Sequence, residues 1–382
     1  MKKKIIYIVS EDWYFLSHRL ALARESLNKG YDVYVLCKDT GVMNNIKNYG
    51  FKCYNLQSVR SKITIKSFIK EVININSIVK TINPSIIHLI AFRPILLGLC
   101  SLFFNKKIEI IISITGLGSI FLSKSLKVKF FKLIICCFLF INFRKKNLNI
   151  IVQNKDDYKF CNKTLNCDQS RIFLVRGSGV DVNYFSYSKE PKSPPIILTF
   201  VGRVIKDKGI ETLFKAFNIA NKNIKDIKLL IAGSIDHLNP SAIDEKYIKD
   251  ELNNNKNITW LGEVSNIKAL WAKSHIAVLP SRREGLPKSL LEAAASGKPI
   301  LATDVPGCRE IAINNLNSIT VPLDNEVKLA EGIEYLVKNY EVRKKFGIES
   351  RKLVEKDLSE KSIINKTVLI YQNILRKIKD KN

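Results

Sequence analysis

The chain has 382 residues, 46% hydrophobic and 25% charged, with a formal net charge of +27. This length exceeds what one hydrophobic core usually supports, so two domains are expected, and the composition excludes a chain disordered along its length. Residues 1–190 carry 30 basic and 12 acidic side chains against 32 and 23 in residues 191–382, an asymmetry open to nucleic acid, an anionic membrane or an anionic substrate.

The opening "MKKKIIYIVSED" has an apolar run from Ile5 to Val9, too short for a signal peptide and fit for a first buried strand. Strand-like runs follow at "DVYVL", "KCYNL", "SIIHLI", "IEIIISI" and "LNIIV", with helical patterns between them. That alternation predicts an α/β protein with parallel sheets and crossover helices. Before the last of these strands lies "KSLKVKFFKLIICCFLFINFRKK", residues 124–146, whose uninterrupted apolar run Leu133–Ile141 is about half of a bilayer span. Lys124, Lys127, Lys129 and Lys132 precede it and Arg144, Lys145 and Lys146 follow, a pattern shared by an interfacial helix on an anionic surface and by a buried crossover helix.

Three prolines in "YSKEPKSPP", residues 187–195, mark a linker, because proline neither propagates a helix nor donates to a sheet. A second set of strands follows: "IILTFVG", "IKLLIAG", "NITWLG", "HIAVLP", "KPILAT" and "NSITVP". An amphipathic helix over 362–379 closes the chain. The expected domains are 1–186 and 196–358, with a C-terminal helix at 359–382 that can return to the first. Eight cysteines without a C-x-x-C pair or histidine clustering speak against a zinc site or disulfide framework and for a reducing cytoplasm.

The chemistry concentrates in "PSRREGLPKSLLEAAASGKP", residues 280–299. Pro287 suits the first position of a helix, where its missing N–H is not needed, and Gly297 suits the stop. The free N–H groups and positive dipole end of such a helix, at a strand exit, favour a phosphate. Glu284 then lies in the preceding loop and Glu292 more than a turn inside, as acceptors for the hydroxyls of sugar and ribose. Either glutamate alone reads as well as a solvated side chain. In "FVGRVIKDKG", residues 200–209, Gly202 and Gly209 bound a turn carrying Arg203 and Lys208, two cations able to neutralise a diphosphate. No D-x-D stands at a strand end, no metal or cofactor is called for, and "TGLGSIF" has Phe121 where a dinucleotide fingerprint needs its third glycine.

These residues resemble the donor domain of the family-4 retaining glycosyltransferases of the GT-B fold, whose marks are a strand-end "VGR…KG" and a Glu-x7-Glu pair. The similarity runs through residues 262–311 and through "GSGVDVNYF", residues 177–185. It implies two Rossmann-like parallel-sheet domains facing a cleft. Arg203 and Lys208 would take the donor diphosphate, Glu284 a sugar hydroxyl and Glu292 the ribose. The main chain around Gly285, Leu286, Pro287 and Lys288 would help to bind phosphate or sugar, and Gly262 and Glu263 would lie against the base.

In the first half, "SEDWYFLSHRLALA" replaces the Gly-Gly loop of many members, leaving contact with the donor phosphate from this half open. His18 and Arg19 are acceptor-side candidates, or a surface histidine and its neighbour. His88 with the following "AFRPILLG" is similar to a His…Lys-Pro stretch of members that build surface polysaccharides on a lipid carrier, with Arg93 in the lysine's place. His88 is therefore a catalytic candidate and, equally, a core histidine. "SITGLGSIF" adds Thr115, Gly116 and Gly118 on the acceptor side.

The expected activity is retaining, metal-independent transfer of a hexose or N-acetylhexosamine from a nucleotide diphosphate sugar, UDP first, to a polyprenyl-diphosphate-linked saccharide in surface glycan assembly. The expected location is peripheral, on the inner face of the cytoplasmic membrane, with no nucleic-acid partner. The alternatives are a sugar-nucleotide 2-epimerase of the same fold and, from another class, a non-enzymatic nucleic-acid-binding protein, although nothing resembles a helix-turn-helix or an RNA-binding aromatic signature. The base, sugar, linkage and oligomeric state are not specified by these residues.

Overall fold

A computed structural model describes residues 2–56, 64–115, 126–192 and 194–379, with the backbone alone at 126–134 and 378–379. The chain forms two compact units, residues 1–178 with 362–382, and residues 179–361.

The first unit holds a parallel seven-stranded sheet. Its strands are β1 (Lys4–Glu11), β2 (Asp32–Lys38), β3 (Lys52–Asn55), β4 (Ile86–Ile90), β5 (Glu109–Ile114), β6 (Leu148–Val152) and β7 (Ile172–Leu174), in the order β3-β2-β1-β4-β5-β6-β7. The central strands are continuous apolar runs because helices cover both faces of the sheet, and every residue of β4 and β6 is buried. One face packs Ile75, Val79, Ile95, Leu99, Ile135 and Leu139 from the helices Ile65–Ile82, Phe92–Ser101 and Leu126–Phe143. The other packs Phe15, Leu22 and Ile46 together with Ile363, Val368, Tyr371 and Ile374 of the C-terminal helix Glu360–Lys379.

The second unit holds β8 (Ile196–Val201), β9 (Ile227–Ala232), β10 (Ile258–Gly262), β11 (Ile276–Leu279), β12 (Ile300–Thr303) and β13 (Ser318–Val321), in the order β10-β9-β8-β11-β12-β13. Both sheets are doubly wound, α/β and Rossmann-like. The strand order reverses between β1 and β4 in one and between β8 and β11 in the other, and a crevice opens at such a point outside the carboxyl ends of the strands.

All twelve strand-like runs named from the sequence form strands, and the three-residue edge strand β7 is additional; periodicity cannot mark so short a segment. The proline-rich 187–195 stretch differs from its reading as a linker. Ser188 N–H donates to the Ser296 carbonyl at 3.2 Å and Glu190 accepts from Arg343 at 2.6 Å, so the stretch is packed on the second unit, and the chain passes between units at 178/179 and 361/362. Proline marks where regular structure breaks, not which core the break lies on.

Candidate active site

Strand β8 ends at Val201, and the chain turns through Gly202 and Arg203 into a 3-10 turn at Lys206–Lys208. Gly209 follows at φ +73°, where a Cβ would lie 1.9 Å from the Pro280 carbonyl oxygen. Only glycine lets the exit of β8 lie this close to the end of β11. Arg282 N–H then donates to the Asp207 carbonyl at 2.9 Å, and Lys208 Nζ donates to Glu284 Oε1 at 2.5 Å. Two residues far apart in sequence are thus joined at the reversal point of the second sheet.

The loop holding Glu284 is shaped from its other side by the exit of β12. Glu284 N–H donates to the Pro306 carbonyl at 3.3 Å. Gly307, at φ +84°, passes so close that a Cβ there would meet the carbonyl oxygens of Glu284 at 2.4 Å and Gly285 at 2.5 Å. Sequence reasoning did not single out Gly307; the Pro-Gly pair in "DVPGC" was the available signal.

The helix beyond this loop spans Lys288–Ala295. Pro287 is its N-cap rather than its first residue, with an extended ψ of 117° and its carbonyl accepting from Leu291 N–H at 3.2 Å. A cap position, like the first turn, has no use for the missing proline N–H. No side-chain cap hydrogen bond closes the helix start, and the N–H groups and positive dipole end of such a start suit an anion. Gly297 lies just past the C-cap Ser296 at φ +75°.

Glu292 sits more than a turn inside the helix and is buried. Burial pushes its carboxyl up to about 7, opposed by the Lys288 charge, whose Nζ stands 4.0 Å from Oε1. Arg203 remains half-exposed and donates from Nη1 to Asp236 Oδ2 at 2.7 Å. Asp236, in the loop after β9, orients this guanidinium and was not among the sequence candidates.

Arg203, Lys208, Glu284, Gly285, Leu286, Pro287, Lys288 and Glu292 therefore gather at the exits of β8 and β11. Gly262 and Glu263 do not join the Lys208–Glu284 contact. They lie at the exit of β10, two places away in the sheet, where Gly262 accepts from Gly233 N–H at 2.7 Å and Glu263 is exposed.

In the first unit, His88 is 1% exposed on β4, its Nδ1 paired with Tyr371 Oη at 2.6 Å and its Nε2 with Ser113 Oγ at 2.7 Å. Burial first and the Arg19 charge second hold its pKa well below the ordinary value. Both ring nitrogens are therefore paired inside the first unit, an environment that matches the core-histidine alternative. Arg19 is buried, His18 is half-buried and stacked on Tyr14, and Arg93 is paired with Glu71 at 3.2 Å. Thr115 is half-buried at the end of β5, while Gly116 and Gly118 lie outside the described residues, as do the side chains of Lys124, Lys127, Lys129 and Lys132. Among the described residues, no group of three His, Cys, Asp or Glu side chains could hold a metal ion, and no helix is long and apolar enough to cross a membrane.

Two family models match the chain, one to each half: "Glycosyl transferase 4-like" over residues 4–154 and "Glycosyl transferases group 1" over residues 185–353. The chain belongs to these glycosyltransferases. Neither match is to an epimerase or a nucleic-acid-binding protein. The glycosyltransferase is 30% identical over 186 residues to the capsular polysaccharide biosynthesis glycosyltransferase CapM of Staphylococcus aureus, a match spanning 48% of each chain. It therefore covers about half the length of that relative. It is 23% identical over 352 residues to an N,N'-diacetylbacillosaminyl-diphospho-undecaprenol α-1,3-N-acetylgalactosaminyltransferase of Campylobacter jejuni, covering 86% of this chain and 90% of that one. A UDP-Gal:α-D-GlcNAc-diphosphoundecaprenol α-1,3-galactosyltransferase of Escherichia coli is 24% identical and covers 78% of each chain. Among solved structures, sucrose-phosphate synthase from Thermosynechococcus elongatus has a TM-score of 0.82 at 17% identity, covering 98% of this chain and 100% of that one. That likeness is one of fold, and the fold is GT-B.

Proposed function

We propose that the enzyme transfers a hexose or N-acetylhexosamine, with retention and without a metal ion, from a UDP-sugar to a polyprenyl-diphosphate-linked saccharide in surface glycan assembly. The observation that carries this reading is the Lys208–Glu284 contact at the reversal point of the second sheet, bordered by Arg203 and by a helix start without a side-chain cap. Breaking an anomeric bond leaves an oxocarbenium-like sugar and a nucleoside diphosphate of growing negative charge, and cations already fixed in place stabilise that charge without reorganising. Arg203, Lys208 and the N–H groups from Lys288 onward act on the diphosphate. Glu284, held by Lys208, accepts from a donor-sugar hydroxyl, and Glu292 accepts from ribose. The acceptor hydroxyl attacks on the face the leaving group departs from and passes its proton to the leaving phosphate, so no separate protein base is used. The lipid-linked acceptors in the names of the Campylobacter and Escherichia relatives support the acceptor class, and the UDP-galactose in the second supports the base.

Such an acceptor places the enzyme on the inner face of the cytoplasmic membrane. Supporting this, residues 64–148 contain 13 Lys and Arg but only two acids, Glu71 and Glu109, and Glu71 is buried against Arg93. The helix Ile65–Ile82 exposes Ile65, Ile69 and Ile73 along one side, beside exposed Lys66 and Lys70. Isoleucines among lysines fit an anionic lipid surface.

The test is transfer from radiolabelled UDP-sugars to lipid-linked saccharides, with the anomeric configuration of the product read by NMR. Arg203→Ala and Lys208→Ala are each expected to lower kcat on the order of 10²-fold or more. Glu284→Gln lowers turnover while leaving UDP binding nearly intact. Normal turnover in all three variants, or an inverted product, would sink the reading.

A further inference from the structure

Arg19 stands between the helices Asp12–His18 and Leu20–Asn28. Its backbone is fully engaged: its N–H donates to the Phe15 carbonyl at 2.8 Å and its carbonyl accepts from Ala23 N–H at 2.9 Å. Its side chain is not. Arg19 is 6% exposed, forms no ion pair among the described residues, and its buried Nε has no acceptor.

The acids next to it in sequence are committed elsewhere. Asp12 accepts from Trp13 N–H and Thr40 N–H, both at 2.8 Å, from Val42 N–H at 3.1 Å and from the Thr40 hydroxyl at 2.5 Å. Glu11 accepts from Trp13 Nε1 at 2.7 Å. The Arg19 charge acts on neutral groups, His88, Tyr7 and Tyr371. Burial keeps the His88 ring unprotonated and pushes the Tyr7 hydroxyl up to about 12, with Tyr371 raised as well. These residues sit on β1, on β4 and on the C-terminal helix, beside the strands where the first sheet reverses its order. An arginine whose Nε is buried without an acceptor thus lies beside the strands where the first sheet reverses its order, and outside the carboxyl ends of such strands is where a doubly wound sheet binds ligands.

A charge of this kind is costly to the fold, and a site that breaks the pairing rule is expected to be functional. We infer that Arg19 is a phosphate-binding residue whose counter-ion arrives with a substrate. The choice of phosphate rests on the proposed function, in which donor and acceptor each carry a diphosphate, and on the guanidinium fork, which matches phosphate oxygens two at a time. The two diphosphates share that chemistry, and the arms below separate them.

The experiment measures thermal stabilisation of the full-length protein by UDP alone, and by geranyl diphosphate or geraniol in the presence of saturating UDP. Wild type, Arg19→Met, Arg19→Lys and the surface control Lys163→Met, at an exposed lysine of the same unit, are compared. Arg19→Met is expected to melt at or above wild type without ligand, since it removes an unpaired buried charge and keeps chain length. It also weakens one diphosphate ligand by about 10- to 100-fold, the worth of a hydrogen bond to a charged group. Arg19→Lys, which keeps the charge but loses the fork, falls between. A loss confined to geranyl diphosphate assigns the acceptor, a loss confined to UDP assigns the donor, and geraniol binding and Lys163→Met show no such loss. Unchanged affinity for both diphosphates in Arg19→Met and Arg19→Lys overturns the inference. So does an Arg19→Met protein that melts below wild type or does not fold, because Arg19 is then structural. Failure of transfer itself reads out separately: absence of turnover with every sugar nucleotide would sink the transferase reading and leave these binding measurements standing.

Discussion

Replacing Glu292 by glutamine should stabilise the ligand-free enzyme, and only at higher pH. Glu292 is 9% exposed, and burial raises its carboxyl from 4.5 to about 7. In the unfolded chain it loses its proton near the ordinary value. Below that value both states hold the proton and burial costs nothing. Between it and about 7 the folded state binds more protons than the unfolded one, so stability falls as pH rises. Above about 7 the folded protein carries the whole cost, which the gap in pKa puts at about 3 kcal/mol. Glutamine keeps the shape and never ionises. For a unit of this size 1 kcal/mol moves Tm by roughly 2–4 °C, so the variant should melt up to about 10 °C above wild type at pH 8 and near it at pH 4.5. Scanning calorimetry of both proteins across that range, without nucleotide, reads the difference. A difference independent of pH would refute the reasoning, because the carboxyl would then be either ionised throughout or not buried. On the proposed assignment of Glu292 to ribose, UDP reverses the order: hydroxyls that donate to the ionised carboxylate make wild-type affinity, relative to glutamine, rise as pH passes about 7.

Three further outcomes follow from the same geometry. Transfer should persist in EDTA, because Arg203, Lys208 and the helix start supply the charge a metal would bring; loss on chelation that Mg²⁺ or Mn²⁺ restores would count against the mechanism. Gly209→Ala should lower both Tm and turnover, since a Cβ there would lie 1.9 Å from the Pro280 carbonyl oxygen and φ > 0 costs an alanine roughly 1–2 kcal/mol besides; a variant with wild-type Tm and kcat would show that the exits of β8 and β11 do not depend on that approach. In vesicle flotation the enzyme should prefer anionic over neutral lipid and lose binding with salt, each lysine near the surface being worth about 1 kcal/mol. Ile69→Asp with Lys66→Gln and Lys70→Gln should weaken that binding while UDP affinity stays the same, and equal flotation of variant and wild type would remove the helix Ile65–Ile82 from the surface.

The strands could be read in advance because a parallel sheet covered on both faces demands uninterrupted apolar runs, and "IIYIV", "SIIHLI" and "IKLLIAG" have little other use. Arg203, Lys208, Glu284 and Glu292 stood out as candidates for a different reason: charged residues at fixed offsets from a strand end, a proline and a glycine form a local pattern. Asp236 and Gly307 escaped because their roles depend on neighbours outside their own segment. Asp236 matters through Arg203, and Gly307 through the two carbonyls it lies against. His88 shows the same dependence on distant neighbours. Its local pattern suited an acceptor-side role, yet Ser113 and Tyr371 occupy both its nitrogens, and Tyr371 lies 283 residues away.

Local chemistry is what the sequence by itself determined: which segments are strands, where the helix behind Pro287 begins and ends, and which side chains could meet a diphosphate and sugar hydroxyls. Each of these depends on residues a few positions apart, whose spacing the covalent chain sets. The tertiary structure alone decided the state of those side chains. It joined Lys208 to Glu284, shifted the Glu292 carboxyl by withdrawing it from water, sank His88 among tyrosines and left Arg19 without a counter-ion. Burial and pairing are set by whichever distant segments fold against a residue, and those are chosen by the order of strands in the sheet.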